Sequence, residues 1–270
     1  MKPTTLLESQ VKKTLKEIKL KKSDKILVAV SGGKDSAVVA YILKQLKYNV
    51  EAIHINLGIP KYSEACLKSV RQLCKITNIK LNTYYLKKEI GKSMLQIFKN
   101  NKNKKLSNCT MCGVFKKYFL NKKSRKLKAK YIATGHHLDD EAQTFLMNIM
   151  KGSPKLSANT GAITKNISDK KFISRIKPLY HITEKQIIQY SKKHKLPEVK
   201  TICPYRGETY RIEIRKFINT LPEKNKKNIL NNFKKVYPKI EKAKDSKIQY
   251  CEICGEPARN KICKKCSLIN

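Results

Sequence analysis

Residues 31–36 read Ser-Gly-Gly-Lys-Asp-Ser, set between an apolar run, Lys25 to Val30, and an apolar pattern of helical spacing, Ala37 to Leu46. A strand that turns on two glycines straight into a helix belongs to few folds. The glycines let the backbone approach a ligand, the amide N–H groups point outward and the helix dipole favours negative charge, so the turn is an anion cradle with phosphate as the expected anion. It differs from the Walker loop, because no glycine stands five residues before Gly33 and Asp35 follows the lysine where Ser or Thr would stand.

The flanking pattern repeats. Strands are expected at Val50 to Asn56, Lys80 to Leu86, Tyr131 to Thr134 and Arg175 to Leu179. Helices are expected at Ser36 to Leu46, Ser63 to Thr77 and about Gly113 to Leu127, and from a capping box at Thr183 and Gln186 to Lys193. Such alternation predicts an α/β fold, a doubly wound parallel sheet covered by helices on both faces. Leu7, Val11, Leu15 and Ile18 add an amphipathic N-terminal helix, and Tyr210 to Thr220 and Lys224 to Val236 read as helices split by Pro222. A Lys/Asn-rich insertion, Lys99 to Lys105, and a polar loop, Ser153 to Asn166, interrupt the pattern. The expected division is an N-terminal helix (1–22), the main domain (23–200), a helical segment (201–246) and a cysteine-rich tail (247–270).

Nine cysteines sort by spacing. Cys251-x2-Cys254-x8-Cys263-x2-Cys266 supplies four thiolates from two knuckles, which suits a closed tetrahedral Zn2+ site, a zinc ribbon, with Gly255 allowing the turn after the first knuckle. Cys109 and Cys112 form a further C-x-x-C and Cys203 stands alone. Three readings are open for these: a redox pair carrying a persulfide, three ligands of a [4Fe–4S] cluster with one iron left open, or unrelated buried cysteines. Cys66 and Cys74 fall on a helical pattern and read as small core residues.

Sixty Lys and Arg against twenty Asp and Glu give a formal charge of +40, which points to a polyanionic partner, nucleic acid. Arg211 and Arg215 share a helix face, suited either to phosphate contact or to solvent. No apolar run approaches a signal peptide or a membrane span, so a cytoplasmic protein without a membrane partner is expected. Gly135-His136-His137-Leu138-Asp139-Asp140-Glu141 stands at the carboxyl end of a strand, where ligands bind in open α/β sheets. His136 and His137 are read as shaping the turn, Asp139 as either an N-cap or a catalytic group, and His54 as either a core histidine or a ligand.

Together, Ser31 to Ser36, His54-Ile-Asn-Leu-Gly58-Ile, Cys109-x2-Cys112-Gly113, Gly135 to Ala142, Arg175-Ile-Lys-Pro-Leu179 and Cys203-Pro-Tyr resemble the TtcA/TtuA family of tRNA 2-thiolation enzymes. That family belongs to the PP-loop ATP pyrophosphatases, which have a HUP-like fold. The resemblance implies an enzyme that spends ATP to AMP and pyrophosphate to adenylate the C2 carbonyl of a tRNA pyrimidine, whose oxygen sulfur then replaces. It implies a [4Fe–4S] cluster on Cys109, Cys112 and Cys203, catalysis or ATP contact at Lys116 and Asp140, and an adenosine and phosphate cradle of Val30, Ser31, Ser36, His54 and Gly135, completed by Gly32, Gly33, Lys34 and Asp35. A Mg2+ ion near Asp35 suits the phosphate chemistry, with Lys34 and Lys116 as countercharges. The implied sulfur donor is sulfide or a ubiquitin-like thiocarboxylate protein, and a homodimer is implied by the resemblance alone. The chain has no cysteine before Cys66, where related members carry a further zinc finger. Uridine is the expected target; a cytidine, a persulfide-based thiolase, a lysidine-type ligase and a non-catalytic RNA-binding metalloprotein are the alternatives.

Overall fold

The computed structural model describes residues 5–101, 106–153, 157, 161–164, 169–207, 210–236 and 249–269. Part of the 99–105 insertion, most of the 153–166 loop and the boundary expected at 246/247 lie outside the described residues.

Strand β1, Ile26–Ala29, is paired in parallel on both edges, with β2, Val50–Asn56, and with β4, Tyr131–Ala133. A strand so enclosed must be apolar on both faces. Ile26 and Val28 enter one hydrophobic layer with α1, Leu6–Glu17, α2, Lys34–Gln45, and α3, Tyr62–Thr77; Leu27 enters the opposite layer. The same alternation splits β2, with Val50 and Ala52 on the first side and Ile53 and Ile55 on the second. Beyond β2 lies β3, Leu81–Tyr85, and beyond β4 lies β5, Ser174–Ile176. The sheet order is β3-β2-β1-β4-β5, all parallel, so the winding reverses between β1 and β4. Crevices for ligands form at such a reversal, outside the carboxyl ends of the strands.

The second face is covered by α4, Leu86–Ile90, α5, Met94–Asn100, and α6, Asn108–Lys126, which bury Leu86, Met94, Ile97, Met111, Phe115 and Phe119. Helix α7, Leu138–Met150, follows β4, and α8, Glu184–Lys193, follows β5 and packs on α2. The capping box at Thr183 and Gln186 forms as the spacing predicts. Helices α9, Tyr210–Thr220, and α10, Glu223–Val236, pack against α7.

Two elements depart from their sequence reading. The last strand stops at Ile176, two residues before Pro178, which has no N–H for a ladder. Helix α6 starts five residues before Gly113, because the Ser107 hydroxyl accepts the Thr110 N–H at 3.2 Å and caps it there. The Cys109-x2-Cys112 unit therefore stands inside the helix and not in a loop ahead of it. No helix among the described residues is long and apolar enough to cross a membrane.

Candidate active site

The glycine turn leaves β1 with its Gly33 N–H on Ser31 Oγ at a long 3.5 Å. Gly33 is the N-cap of α2 and no side chain bonds the first-turn N–H groups there. Ser36 shapes the turn from within: its Oγ donates to Gly33 O at 3.0 Å and accepts the Ser31 N–H at 3.1 Å. Gly32 has φ +91°, and a Cβ there would meet Cys66 Cα at 2.9 Å, so no other residue fits. The Gly32 carbonyl is held by the Ser69 hydroxyl and by the Val199 N–H, which ties the loop to the segment leading to Cys203. Gly135 closes the other side, since a Cβ there would stand 2.8 Å from Ser36 N and 2.9 Å from Asp35 C.

Beside this loop lies a cavity of about 370 Å³. Cys109, Cys112 and Lys116 reach it as one stripe of α6, at spacings of three and four residues that align side chains on one helix face. Cys203 reaches it from the segment after α8. That segment is docked by Asn108 Nδ2, which donates to Tyr205 O at 3.5 Å, and by Tyr205 against Phe98, ring centroids 5.5 Å apart. Val30, Ser31 and His54 complete the wall next to the glycine turn. Burial pushes the Cys112 thiol up to about 11, against the pull of the Lys116 ammonium.

His54 is buried at the end of β2, and its Nδ1 donates to Val30 O at 2.8 Å. Burial holds the ring below its ordinary pKa, aided by Lys116 and opposed by the Val30 bond, so it is neutral and its Nε2 is an unpartnered acceptor. Of the two sequence readings, a satisfied core histidine does not describe it.

The carboxylates behind the loop divide. Asp139 is fully buried: Oδ1 accepts from Lys226 Nζ at 2.7 Å and Oδ2 from the Glu184 N–H at 2.7 Å. It does not cap its own helix, as one sequence reading had it, but caps α8 and ties α7, α8 and α10 together. Asp140 stays more exposed, with His137 Nε2 at 3.4 Å. Burial lowers the His137 pKa, but Asp139, Asp140 and Asp35 outweigh it and the net shift is upward. His136 is exposed, and its Nδ1 bonds Thr134 Oγ1 at 2.9 Å. One Asp35 carboxylate oxygen is buried without a hydrogen-bond partner, while Lys34 lies 3.3 Å away.

Lys34 is also held at 2.9 Å by Glu184 Oε1, which accepts from Arg215 at 2.5 Å as well. Arg215 is thus ion-paired with the protein while its side chain stays 44% exposed. Arg211 bonds Thr144 Oγ1 at 2.8 Å on an exposed face. Glu184, Lys226 and Cys66 carried no signal in the sequence that links them to the site. The one available clue to the α6 stripe was Ser107, an N-cap residue two positions before Cys109.

In the tail, β6, Gln249–Tyr250, pairs antiparallel with β7, Pro257–Ala258, and α11, Lys264–Ile269, packs on α6. Cys251, Cys254, Cys263 and Cys266 are the one group of three or more His, Cys, Asp or Glu among the described residues whose ligand atoms all lie within 4.8 Å of one another. Burial raises the Cys251 thiol, but N–H donors from Cys263, Cys254 and Ile253 outweigh it and hold it at about 6, ready as a thiolate ligand. Glu256 receives both Arg125 guanidinium nitrogens, at 2.5 and 3.2 Å, so the tail is clamped to α6. Cys251→Ser is expected to abolish stoichiometric metal in the tail and to raise its cleavage by protease while the sheet domain stays folded. Unchanged metal content would remove the ribbon assignment.

Cys109, Cys112 and Cys203, by contrast, do not come together as ligands of a single ion would. A tetranuclear cluster bonds each thiolate to its own iron and so spaces the sulfurs more widely. The three thiols on one cavity wall fit that donor set.

The PP-loop domain family model matches residues 3–220. The chain is 36% identical to the tRNA-5-methyluridine(54) 2-sulfurtransferase of Pyrococcus horikoshii, over 96% of this chain and 83% of that one. It is 31% identical to the cytoplasmic tRNA 2-thiolation protein 1 of Aspergillus niger, over 98% and 79%. Among solved structures, the U34-tRNA thiolase NcsA of Methanococcus maripaludis with its [4Fe–4S] cluster superposes with a TM-score of 0.81 at 30% identity, over 97% of this chain and 85% of that one. The chain is thus a member of the PP-loop domain family and, within it, of the tRNA 2-thiolation sulfurtransferases.

Proposed function

We propose that this protein activates the C2 carbonyl of a tRNA uridine with ATP and replaces the oxygen with sulfur. The observation that carries this reading is the shared wall: the first residues of the glycine turn, Val30 and Ser31, line the same cavity as Cys109, Cys112 and Cys203. An α-phosphate held on the turn and a sulfur held by the thiols would meet there.

The C2 oxygen attacks the α-phosphorus, pyrophosphate leaves, sulfur adds at C2 and AMP departs with the original oxygen. The amides of Gly32, Gly33 and the α2 N-terminus, with Ser31 and Ser36, hold the phosphates, the Gly33 N–H exchanging its long 3.5 Å bond to Ser31 Oγ for phosphate. Lys116 faces the charge that develops beside the cavity. Lys34 exchanges its Glu184 partner for phosphate. Asp35 and Asp140 supply oxygens of the kind Mg2+ prefers. Val30, His54 and Gly135 border the adenosine. A [4Fe–4S] cluster on Cys109, Cys112 and Cys203 would supply an iron able to hold the sulfur as an anion. The tail tetrad holds Zn2+ as a structural ion. Sulfide or a ubiquitin-like thiocarboxylate protein delivers the sulfur, and two copies of the chain associate.

The products test the first step. Incubation with ATP and unmodified tRNA is expected to yield AMP and pyrophosphate in step with 2-thiouridine; ADP with free phosphate would sink the adenylation. Nucleoside mapping of the product tRNA reads the target position.

The charge of +40 makes a second, independent prediction. The logarithm of the tRNA binding constant should fall linearly with the logarithm of salt, by about three orders of magnitude between 50 and 200 mM for roughly six phosphate contacts. Arg211→Glu should flatten that slope. A constant that does not change over this range would dismiss phosphate-dominated binding.

A further inference from the structure

The stretch Arg175-Ile-Lys-Pro-Leu179 carries two cations, and the fold pairs one of them: Lys177 meets buried Glu141 at 2.7 Å. Arg175 bonds Thr164 with its backbone N–H and its carbonyl, at 2.9 Å each, while its half-buried guanidinium has no acceptor among the described residues. Alternation along the edge strand β5 puts Ile176 in the layer with α2, so Arg175 faces the other side, toward α6. There it opens, with Lys117, into a second cavity of about 700 Å³ between α6, β5 and the cysteine-rich tail. The charges that bear on Lys117 are Arg175 and Arg211, cations both. Across the cleft the tail presents Arg259 and Lys264, both exposed. Glu256 is the one acid among the described lining residues, and the Arg125 guanidinium already neutralises it.

Both jaws are fastened to α6. Asn121 Nδ2 donates to Lys171 O at 2.6 Å, Asn121 Oδ1 accepts the Ile173 N–H at 2.9 Å, and Arg125 spans Lys171 O and Glu256. Jaws held in this way cannot close by pairing their charges, since all four are cations. Phe172, 37% exposed, and Ile262, 43% exposed, face the same space, one from each jaw. Cations that no carboxylate answers, with an exposed ring among them, suit a ligand that carries both phosphates and bases. We propose that this cleft binds the tRNA backbone, with phosphodiesters between Arg175 and Lys117 on one jaw and Arg259 and Lys264 on the other, and an unstacked base on Phe172. This rests on the tRNA reading above and gives the tail a second task, as one wall of an RNA site. The cleft adjoins the catalytic cavity across α6, where Lys116 looks into the cavity and the next residue, Lys117, into the cleft. An RNA strand anchored there is held beside the cavity that receives its target nucleoside.

The experiment measures the salt dependence of tRNA binding for the wild type and three double variants: Lys117→Gln with Arg175→Gln, Arg259→Gln with Lys264→Gln, and Lys13→Gln with Lys16→Gln. The last pair is exposed on α1, which packs in the layer on the other face of the sheet. Each phosphate contact contributes about 0.7–0.9 to the slope of log K against log salt, so each cleft pair is expected to lose about 1.5 while the α1 pair keeps the wild-type slope. Equal losses in all three pairs, or none in the cleft pairs, would overturn the cleft and leave the proposed chemistry standing. A wild type that binds no tRNA would overturn both. Ultraviolet cross-linking of the wild type to tRNA needs no variant: mass spectrometry is expected to find nucleotide on the peptides that bear Phe172 or Ile262, and cross-links confined to other segments would overturn the proposal.

Discussion

Alanine in place of Cys109, of Cys112 or of Cys203 is expected to reduce cluster iron to background and to abolish 2-thiouridine formation, each of the three to the same extent. The expectation follows from their geometry. Cys109 and Cys112 stand one turn apart on α6 and Cys203 enters from a separate segment, yet all three line one cavity. If each bonds its own iron, the loss of any one leaves an iron without its thiolate in a partly open site, and the cluster does not survive. A persulfide mechanism predicts an uneven pattern instead: the sulfur-bearing cysteine and its resolving partner are needed and the third is dispensable. Iron and sulfide analysis of the anaerobically reconstituted variants, beside thiolation assays on bulk tRNA, distinguishes the two. Full activity in an iron-free, air-purified protein given a persulfide donor would falsify the cluster.

The second large effect is on stability. Asp139→Ala is expected to cost about 3–5 kcal/mol, because it leaves the Lys226 ammonium buried and uncompensated and deprives the Glu184 N–H of its acceptor at the start of α8. Asp139 is 1% exposed and Lys226 9% exposed, so water cannot take over the lost contacts. Removing both charges, as in Asp139→Asn with Lys226→Met, should recover much of the loss, since a neutral pair avoids the stranded charge and Asn can still accept the Glu184 N–H. Denaturant unfolding of the two variants measures this. A single variant within about 1 kcal/mol of the wild type would show that the Asp139–Lys226 pair does not hold the fold together.

The helix that bears the candidate cysteines shows where sequence reading stopped. Apolar periodicity located β2 and the capping box located α8, because both signals lie within a few residues of the element they mark. In α6 the periodicity starts at Met111, Phe115 and Phe119, which bury the neighbouring face, while Cys109, Cys112 and Lys116 form a stripe that looks polar from the sequence. The sequence pattern therefore marks a helix only from about Gly113 and does not reveal the alignment of the two cysteines with Lys116.

Glu184 and Asp139 show a different limit. Glu184 lies 150 residues from the lysine it holds, and Asp139 lies 87 residues from Lys226. Each carboxylate has an ordinary local reading, a first-turn acid of a helix, that accounts for it without any distant partner.

The sequence by itself determined the α/β alternation, the glycine turn as an anion cradle, the four-thiol tail and the list of residue types at the site, since strand and helix periods, turn chemistry and metal-ligand spacing are short-range properties of a chain. Tertiary structure alone decided which side chains meet. It put the reversal of winding between β1 and β4, brought Cys203 across to α6, turned Cys66 toward the cavity and Cys74 away from it, and gave Lys34 to Glu184. Those choices depend on how layers stack and which buried charges must be paired, and pairing across a hundred residues is set by the packing of the whole domain and not by any local pattern.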